Sequence, residues 1–291
     1  MLKHVASIAI CLALSMPGAA QTYKDAVARF ANAAADLTFP AEAGELSVLS
    51  RPQMAIHKPA GDGPFPAIVI LPGCRGLGPQ TLDWARRVVA RGYVAFVVDP
   101  VTQRPPPVCV PESPANHYRG AKDAFQALAH LKNFPFVDQE HVGLLGFSWG
   151  AMVSLLASSQ TFAELFSPSR RFVAAVGFYP LCHVAPMQGR PAVDFVRPDH
   201  DRPMLVLLGG QDLEAPAGDC VPLLKAVAEK GQPVQWRVYE GATHCWDCSS
   251  LDNFSRIDFR GVRVSYKFDR ELTEQSAKAA LEYLDQRLRQ R

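Results

Sequence analysis

The chain has 291 residues, 48% hydrophobic and 20% charged, enough to bury a substantial core in one large α/β domain. Its 30 Lys and Arg against 28 Asp and Glu leave a net charge of +2, a balance that argues against a nucleic-acid groove or an acidic partner. Beyond the N-terminus no apolar run approaches the ~20 residues of a membrane span.

In chain order, Lys3 and His4 precede an apolar stretch from Val5 to Met16, and Pro17-Gly18-Ala19-Ala20 ends in small residues suited to signal peptidase. Pro17 and Gly18 should stop a helix there, and cleavage is expected after Ala20. Gln21, not a cysteine, stands directly after that point, so no membrane anchor is expected after cleavage, and the mature chain reads as exported, periplasmic or secreted. The expected organisation is a signal peptide over 1–20, an N-terminal helix with linker and first strand over 21–58, and an α/β domain over 59–291.

An exposed helix is expected from Tyr23 to Asp36. Ala67 to Leu71 is a short buried strand, and Thr81 to Arg91 a helix with Trp84, Val88 and Val89 apolar. Tyr93 to Val98 is a strand, followed by the rigid loop Arg104-Pro105-Pro106-Pro107. His117 to Phe134 is amphipathic, with Ala121, Ala124, Phe125, Leu128 and Leu131 at helical spacing. Val142 to Leu145, Phe172 to Phe178, Met204 to Leu208 and Val234 to Tyr239 are strands. Val221 to Lys230 and Thr273 to Leu288 are helices. Several strands are apolar throughout, as in parallel sheets covered on both faces. The pattern predicts an α/β fold with a doubly wound, mostly parallel sheet and helices on both faces.

The strand at Val142 ends in Gly146-Phe147-Ser148-Trp149-Gly150, and a helix-like stretch from Ala151 to Ser158 follows. A serine on a tight strand-to-helix turn stands clear of the backbone, the glycines leave room for crowded segments, and the residue after it offers a free N–H. Reactive groups in such sheets sit at the carboxyl ends of the strands. Met204–Leu208 is followed by Gly209-Gly210-Gln211-Asp212, and Val234–Tyr239 by Glu240-Gly241-Ala242-Thr243-His244. A neutral serine needs an imidazole to take its proton and a carboxylate to orient that imidazole, so Ser148, Asp212 and His244 form a candidate triad. Asp219, Asp201 and Asp247 compete for the acid. His57, His117, His130, His141, His183 and His200 compete for the base.

The loop after Ala67–Leu71 reads Pro72-Gly73-Cys74-Arg75-Gly76, and the N–H groups of Cys74 and Trp149 are the candidate oxyanion donors. Arg75 is a candidate contact for an anionic substrate group. The loop lacks the signature of a nucleotide-phosphate loop.

Once Cys11 leaves with the signal, six cysteines remain, an even count that favours disulfides in an exported protein. A zinc or redox reading of Cys245-Trp246-Asp247-Cys248 lacks a second ligand pair and a following βα unit. Six cysteines admit many pairings, but loops leaving neighbouring strands suggest Cys74–Cys109 and Cys182–Cys220, leaving Cys245–Cys248.

The chain resembles the dienelactone hydrolase family of α/β-hydrolases, particularly its exported members, from about Pro59 to the C-terminus. Its markers are Gly63-Pro64-Phe65-Pro66-Ala67, Gly92-Tyr93 before Val97-Val98-Asp99, Ala121-Lys122-Asp123-Ala124, Phe134-Pro135-Phe136-Val137-Asp138, Tyr179-Pro180 and Gly241-Ala242-Thr243-His244. The resemblance implies an α/β-hydrolase fold and hydrolysis of a small-molecule ester or lactone, with Ser148, His244 and Asp212 as nucleophile, base and acid. Serine replaces the cysteine of the family's best-known lactone hydrolases, which turns the expectation toward a serine esterase. Pro72-Gly73 stands where His-Gly is usual, a change that leaves backbone donors intact. No cofactor or metal is implied. A peptidase or thioesterase on the same fold, and a non-catalytic binding protein retaining the scaffold, are the alternatives.

Overall fold

The computed structural model describes residues 17–289 apart from 48, 102, 105–108, 110–115, 186–191 and 259. Positions 1–16 of the expected targeting segment and the prolines of the rigid loop, 105–107, lie outside the described residues. The chain runs α1 (Pro17–Ala31), β1 (Ala43–Gly44), β2 (Ala55–His57), β3 (Phe65–Leu71), α2 (Pro79–Ala90), β4 (Val94–Val97), α3 (His117–His130), β5 (Val137–Phe147) and α4 (Trp149–Ala157). It continues with α5 (Gln160–Phe166), β6 (Ala175–Phe178), β7 (His183–Val184), β8 (Val193–Asp194), β9 (Met204–Gly209) and α6 (Ala217–Ala228). β10 (Val234–Tyr239), β11 (Ser255–Ile257), β12 (Arg263–Ser265) and α7 (Arg270–Leu288) complete it.

Eight strands form one sheet in the order β1-β2-β4-β3-β5-β6-β9-β10. The six strands from β4 to β10 are parallel, and β2 joins their edge antiparallel to β4. Side chains alternate between faces along a strand, so a strand apolar throughout must be covered twice. In β9, Met204, Val206 and Leu208 enter one buried layer and Leu205 and Leu207 the other; β3 divides likewise. Phe125 and Leu128 of α3, Leu155 of α4 and Leu224 of α6 close the first layer. Trp84 and Val88 of α2, with Ala280 and Leu284 of α7, close the second. This is a doubly wound, mostly parallel α/β sheet with helices on both faces.

Local chemistry sets the helix starts. The Asn116 side chain caps α3 by accepting from the N–H groups of Tyr118 (3.0 Å) and Arg119 (3.1 Å). Asp269 caps α7 through the Leu272 N–H at 3.0 Å.

The first helix differs from expectation in both place and environment. Over the described residues it runs from Pro17 to Ala31, whereas Tyr23 to Asp36 was expected. The expected cleavage point after Ala20 lies within this described helical stretch. The helix is docked, not exposed: Val27 and Ala31 are buried. Fully buried Arg119 donates to the carbonyls of Ala31 (3.2 Å) and Ala34 (3.1 Å) and to the Asp36 carboxylate (2.8 Å). Helix α6 starts four residues before Val221 and carries Pro222 within it. Among the described residues no helix is long and apolar enough to cross a membrane.

Candidate active site

Ser148 sits between the end of β5 and the start of α4, with φ at 48°, a left-handed backbone rare for a side-chain-bearing residue. The sharp turn needs its glycines. A Cβ on Gly146 would lie 2.1 Å from the Gly150 carbonyl oxygen, and one on Gly150 would lie 2.4 Å from that of Leu71. The Ser148 N–H donates to the Phe178 carbonyl of β6 at 2.9 Å, which pins the turn to the sheet.

The strands β9 and β10 bring the other two groups to the same edge. Gly210 N–H donates to Tyr239 and Gln211 N–H to Ala242, each at 2.9 Å, so the loops after these strands are stitched together. Asp212 Oδ2 is 2.7 Å from His244 Nδ1, and His244 Nε2 is 3.0 Å from Ser148 Oγ. A carboxylate only accepts, so Nδ1 carries the proton and Nε2 is left to accept from the serine hydroxyl. Asp212 Oδ1 is occupied by the N–H groups of Glu214 and Ala215, both at 2.8 Å, which holds the carboxylate in place. Asp212 and His244 are buried, while Ser148 is partly accessible. Burial disfavours a charged imidazole. The Asp212 carboxylate opposes it by charge and hydrogen bond, with Glu214 and Asp247 adding to it, and His244 ends above its ordinary pKa.

The competing residues are engaged elsewhere. Asp219 lies exposed in the first turn of α6, and Asp201 pairs with Arg171. Asp247 is buried but bonded to Tyr179, Trp84 and Gln80. His57 meets the Gly44 carbonyl, His130 that of Pro40, His141 the Asp138 carboxylate and His183 that of Asp194. His200 is fully buried beside Ser159. His117 packs its ring on Phe195 and Trp149.

The loop after β3 folds back through a Gly76 N–H to Gly73 carbonyl bond of 3.0 Å. A Cβ on Gly73 would stand 3.4 Å from that of Ser148, so this loop lies against the serine. The Cys74 and Trp149 N–H groups make no backbone hydrogen bond among the described residues. Arg75 on the same turn is exposed, and among the described residues its side chain forms no ion pair. The sulfurs of Cys74 and Cys109, Cys182 and Cys220, and Cys245 and Cys248 are joined at 1.88, 2.05 and 1.91 Å. A Cys245–Cys248 bond leaves neither sulfur as a thiolate ligand, although Asp247 lies beside both.

Two residues were not singled out for this site from sequence. The Tyr179 ring stands edge-on to the His244 imidazole, with ring centres 4.8 Å apart, and Tyr266 flanks it at 6.0 Å. Tyr179 was visible only as part of a family marker. Tyr266 follows a hairpin whose first strand is exposed throughout, so no apolar alternation announced it.

A mostly parallel eight-stranded sheet, a serine on a sharp turn after β5, an acid after β9 and a histidine after β10 define an α/β-hydrolase. The family model for the dienelactone hydrolase family matches residues 53–288. The chain belongs to that family. A Bradyrhizobium sp. protein named "Probable 2-oxo-3-(5-oxofuran-2-ylidene)propanoate lactonase" is 23% identical over 201 residues, covering 66% of this chain and 77% of its own. Among solved structures, esterase 2 of the Planctomycetes species Thermogutta terrifontis, bound to butyrate, matches with a TM-score of 0.58 and 18% identity. That match covers 83% of this chain and 91% of the esterase. MGS-M1, an α/β-hydrolase from a deep-sea metagenome library, matches with a TM-score of 0.54 and 20% identity over 78% of this chain and 86% of its own.

Proposed function

We propose that this protein is an exported serine hydrolase of carboxylic esters or lactones. The observation that carries the reading is the unbroken hydrogen-bond chain from Ser148 Oγ through His244 to Asp212, at 3.0 and 2.7 Å. Family membership supports the ester or lactone substrate class. Ser148 Oγ attacks the carbonyl carbon as His244 Nε2 takes its proton, and Asp212 stabilises the imidazolium that results. The N–H groups of Cys74 and Trp149 hold the oxyanion; losing one such donor costs roughly a hundredfold or more in rate. His244 then protonates the departing alkoxide, and a water activated by the same imidazole cleaves the acyl-enzyme. Arg75, exposed beside the oxyanion loop, contacts an anionic group on the substrate.

The same reading assigns 1–20 to a signal peptide, 21–58 to an N-terminal segment and 59–291 to the catalytic domain. Three disulfides suit an oxidising compartment outside the cytosol. A fluorophosphonate probe and a panel of aryl esters, lactones and peptides test the proposal. Wild-type protein is expected to label at Ser148 and to turn over activated esters, and Ser148→Ala to lose both while keeping its unfolding temperature. Wild-type turnover in the folded Ser148→Ala variant would sink the mechanism, and cleavage confined to peptides would sink the substrate class.

A further inference from the structure

The residues just after His244 form a second buried polar centre that the triad does not use. His244 is followed by Cys245-Trp246-Asp247-Cys248, a turn closed by the Cys248 N–H to Cys245 carbonyl bond at 2.9 Å and by the Cys245–Cys248 disulfide. Inside this turn Asp247 is only 7% exposed. A carboxylate so placed needs donors, because an unpaired buried charge is costly. Asp247 Oδ1 accepts from the Tyr179 hydroxyl at 2.7 Å, and Oδ2 from the Trp84 indole and the Gln80 amide, each at 2.8 Å. Gln80 also donates to the Tyr179 oxygen at 2.8 Å, which closes the network.

All three donors are neutral. Arg87 of α2, which feels the Asp247 charge, spends its guanidinium on a two-pronged contact with Glu274 of α7. The turn is bolted down as well, since buried Trp246 donates to Ser276 at 3.0 Å and packs on Tyr179. Tyr179 connects this centre to the triad: its hydroxyl is on Asp247 and its ring is edge-on to the His244 imidazole.

We propose that Asp247 is a positioning residue for the base, fixing the Tyr179 ring and the turn that orient His244, and that its negative charge helps hold the imidazolium formed during turnover. This rests on the reading of His244 as catalytic base. The groups facing His244 are Ser148 on the elbow, Asp212 and Glu214 after β9, Tyr179 after β6, Asp247 on its own loop and Tyr266 after β12. Of these, Asp212, Glu214 and Asp247 raise its proton affinity. Removing one of the three charges lowers it.

Asp247→Asn keeps the shape and removes the charge. The expected result is a kcat reduced roughly tenfold at unchanged KM, with the acid limb of kcat/KM moved to lower pH by roughly half a unit. Thermal unfolding of each variant separates this from simple destabilisation. A folded Asp247→Asn with wild-type kcat and an unmoved acid limb would overturn the proposal, even if its melting temperature falls. Should Asp247→Asn not fold, Tyr179→Phe keeps the ring and removes its link to Asp247. A reduced kcat at constant KM is then expected, and wild-type kcat overturns the proposal. His244→Ala, assayed alongside, tells the two readings apart. Turnover surviving in His244→Ala refutes the base itself, whereas its loss beside a normal Asp247→Asn refutes only the positioning role.

Discussion

At His244, two opposing effects meet in one side chain. Burial disfavours the imidazolium, and the carboxylates of Asp212, Glu214 and Asp247 favour it; the carboxylates prevail and the pKa is raised. In the proposed mechanism only the neutral imidazole accepts the Ser148 proton, so activity is expected to fall as pH drops through this raised value. The acid limb of kcat/KM for an activated ester is therefore expected above the ordinary histidine value of about 6.5. A limb at or below that value would mean that burial outweighs the carboxylates at His244.

The site is held together by the ends of strands and by bonds between loops. β9 and β10 run parallel in register from Met204 against Val234 to Gly209 against Tyr239, so the acid and histidine loops leave the sheet side by side. Their approach needs small residues, since a Cβ on Gly209 would lie 2.6 Å from the Ala242 carbonyl oxygen. The oxyanion loop leaves β3 and is joined through Cys74 to Cys109, in the segment after β4. This tether anchors the residue whose N–H is proposed to meet the oxyanion. Cys109→Ser is expected to lower kcat roughly tenfold while the fold persists, read as turnover against far-ultraviolet circular dichroism at one temperature. Unaltered kcat would show that the glycine turn positions Cys74 unaided.

Across the whole molecule, both faces of the sheet are buried, and a histidine outside the candidate site lies deep among the packed elements. His200 is fully buried, which pushes its pKa down to about 4. The unfolded chain takes up this proton near pH 6.5 and the folded chain does not, so the unfolded state binds more protons between these values. Stability from this group is complete above about pH 6.5 and declines toward pH 4, by on the order of 3 kcal/mol. Denaturant unfolding at pH 7.5 and pH 4.5 is expected to show the loss, and His200→Leu to reduce it. An equal loss in that variant would place the acid sensitivity elsewhere.

The fold was legible because apolar strands without alternation can only be satisfied by cover on both faces, and Ala67–Leu71 and Met204–Leu208 carry that pattern in their own residues. The candidate triad was legible for a related reason. A serine between two glycines, an acid and a histidine each follow a strand, and a parallel sheet delivers all strand ends to one edge. Less local features had no such signature. The docking of α1 depends on Arg119, 88 positions from Ala31 and wholly buried, which composition alone would have left at the surface. Helix α6 was expected from Val221 and instead spans Ala217–Ala228. The network of Gln80, Trp84, Tyr179 and Asp247 joins three segments distant in sequence, and which acid meets the imidazole depends on which loop closes over it. Residue type and period determined the sheet, the elbow and the order of the candidate groups. Tertiary packing decided their neighbours, because burial and hydrogen bonding depend on what the rest of the chain brings within a few ångströms.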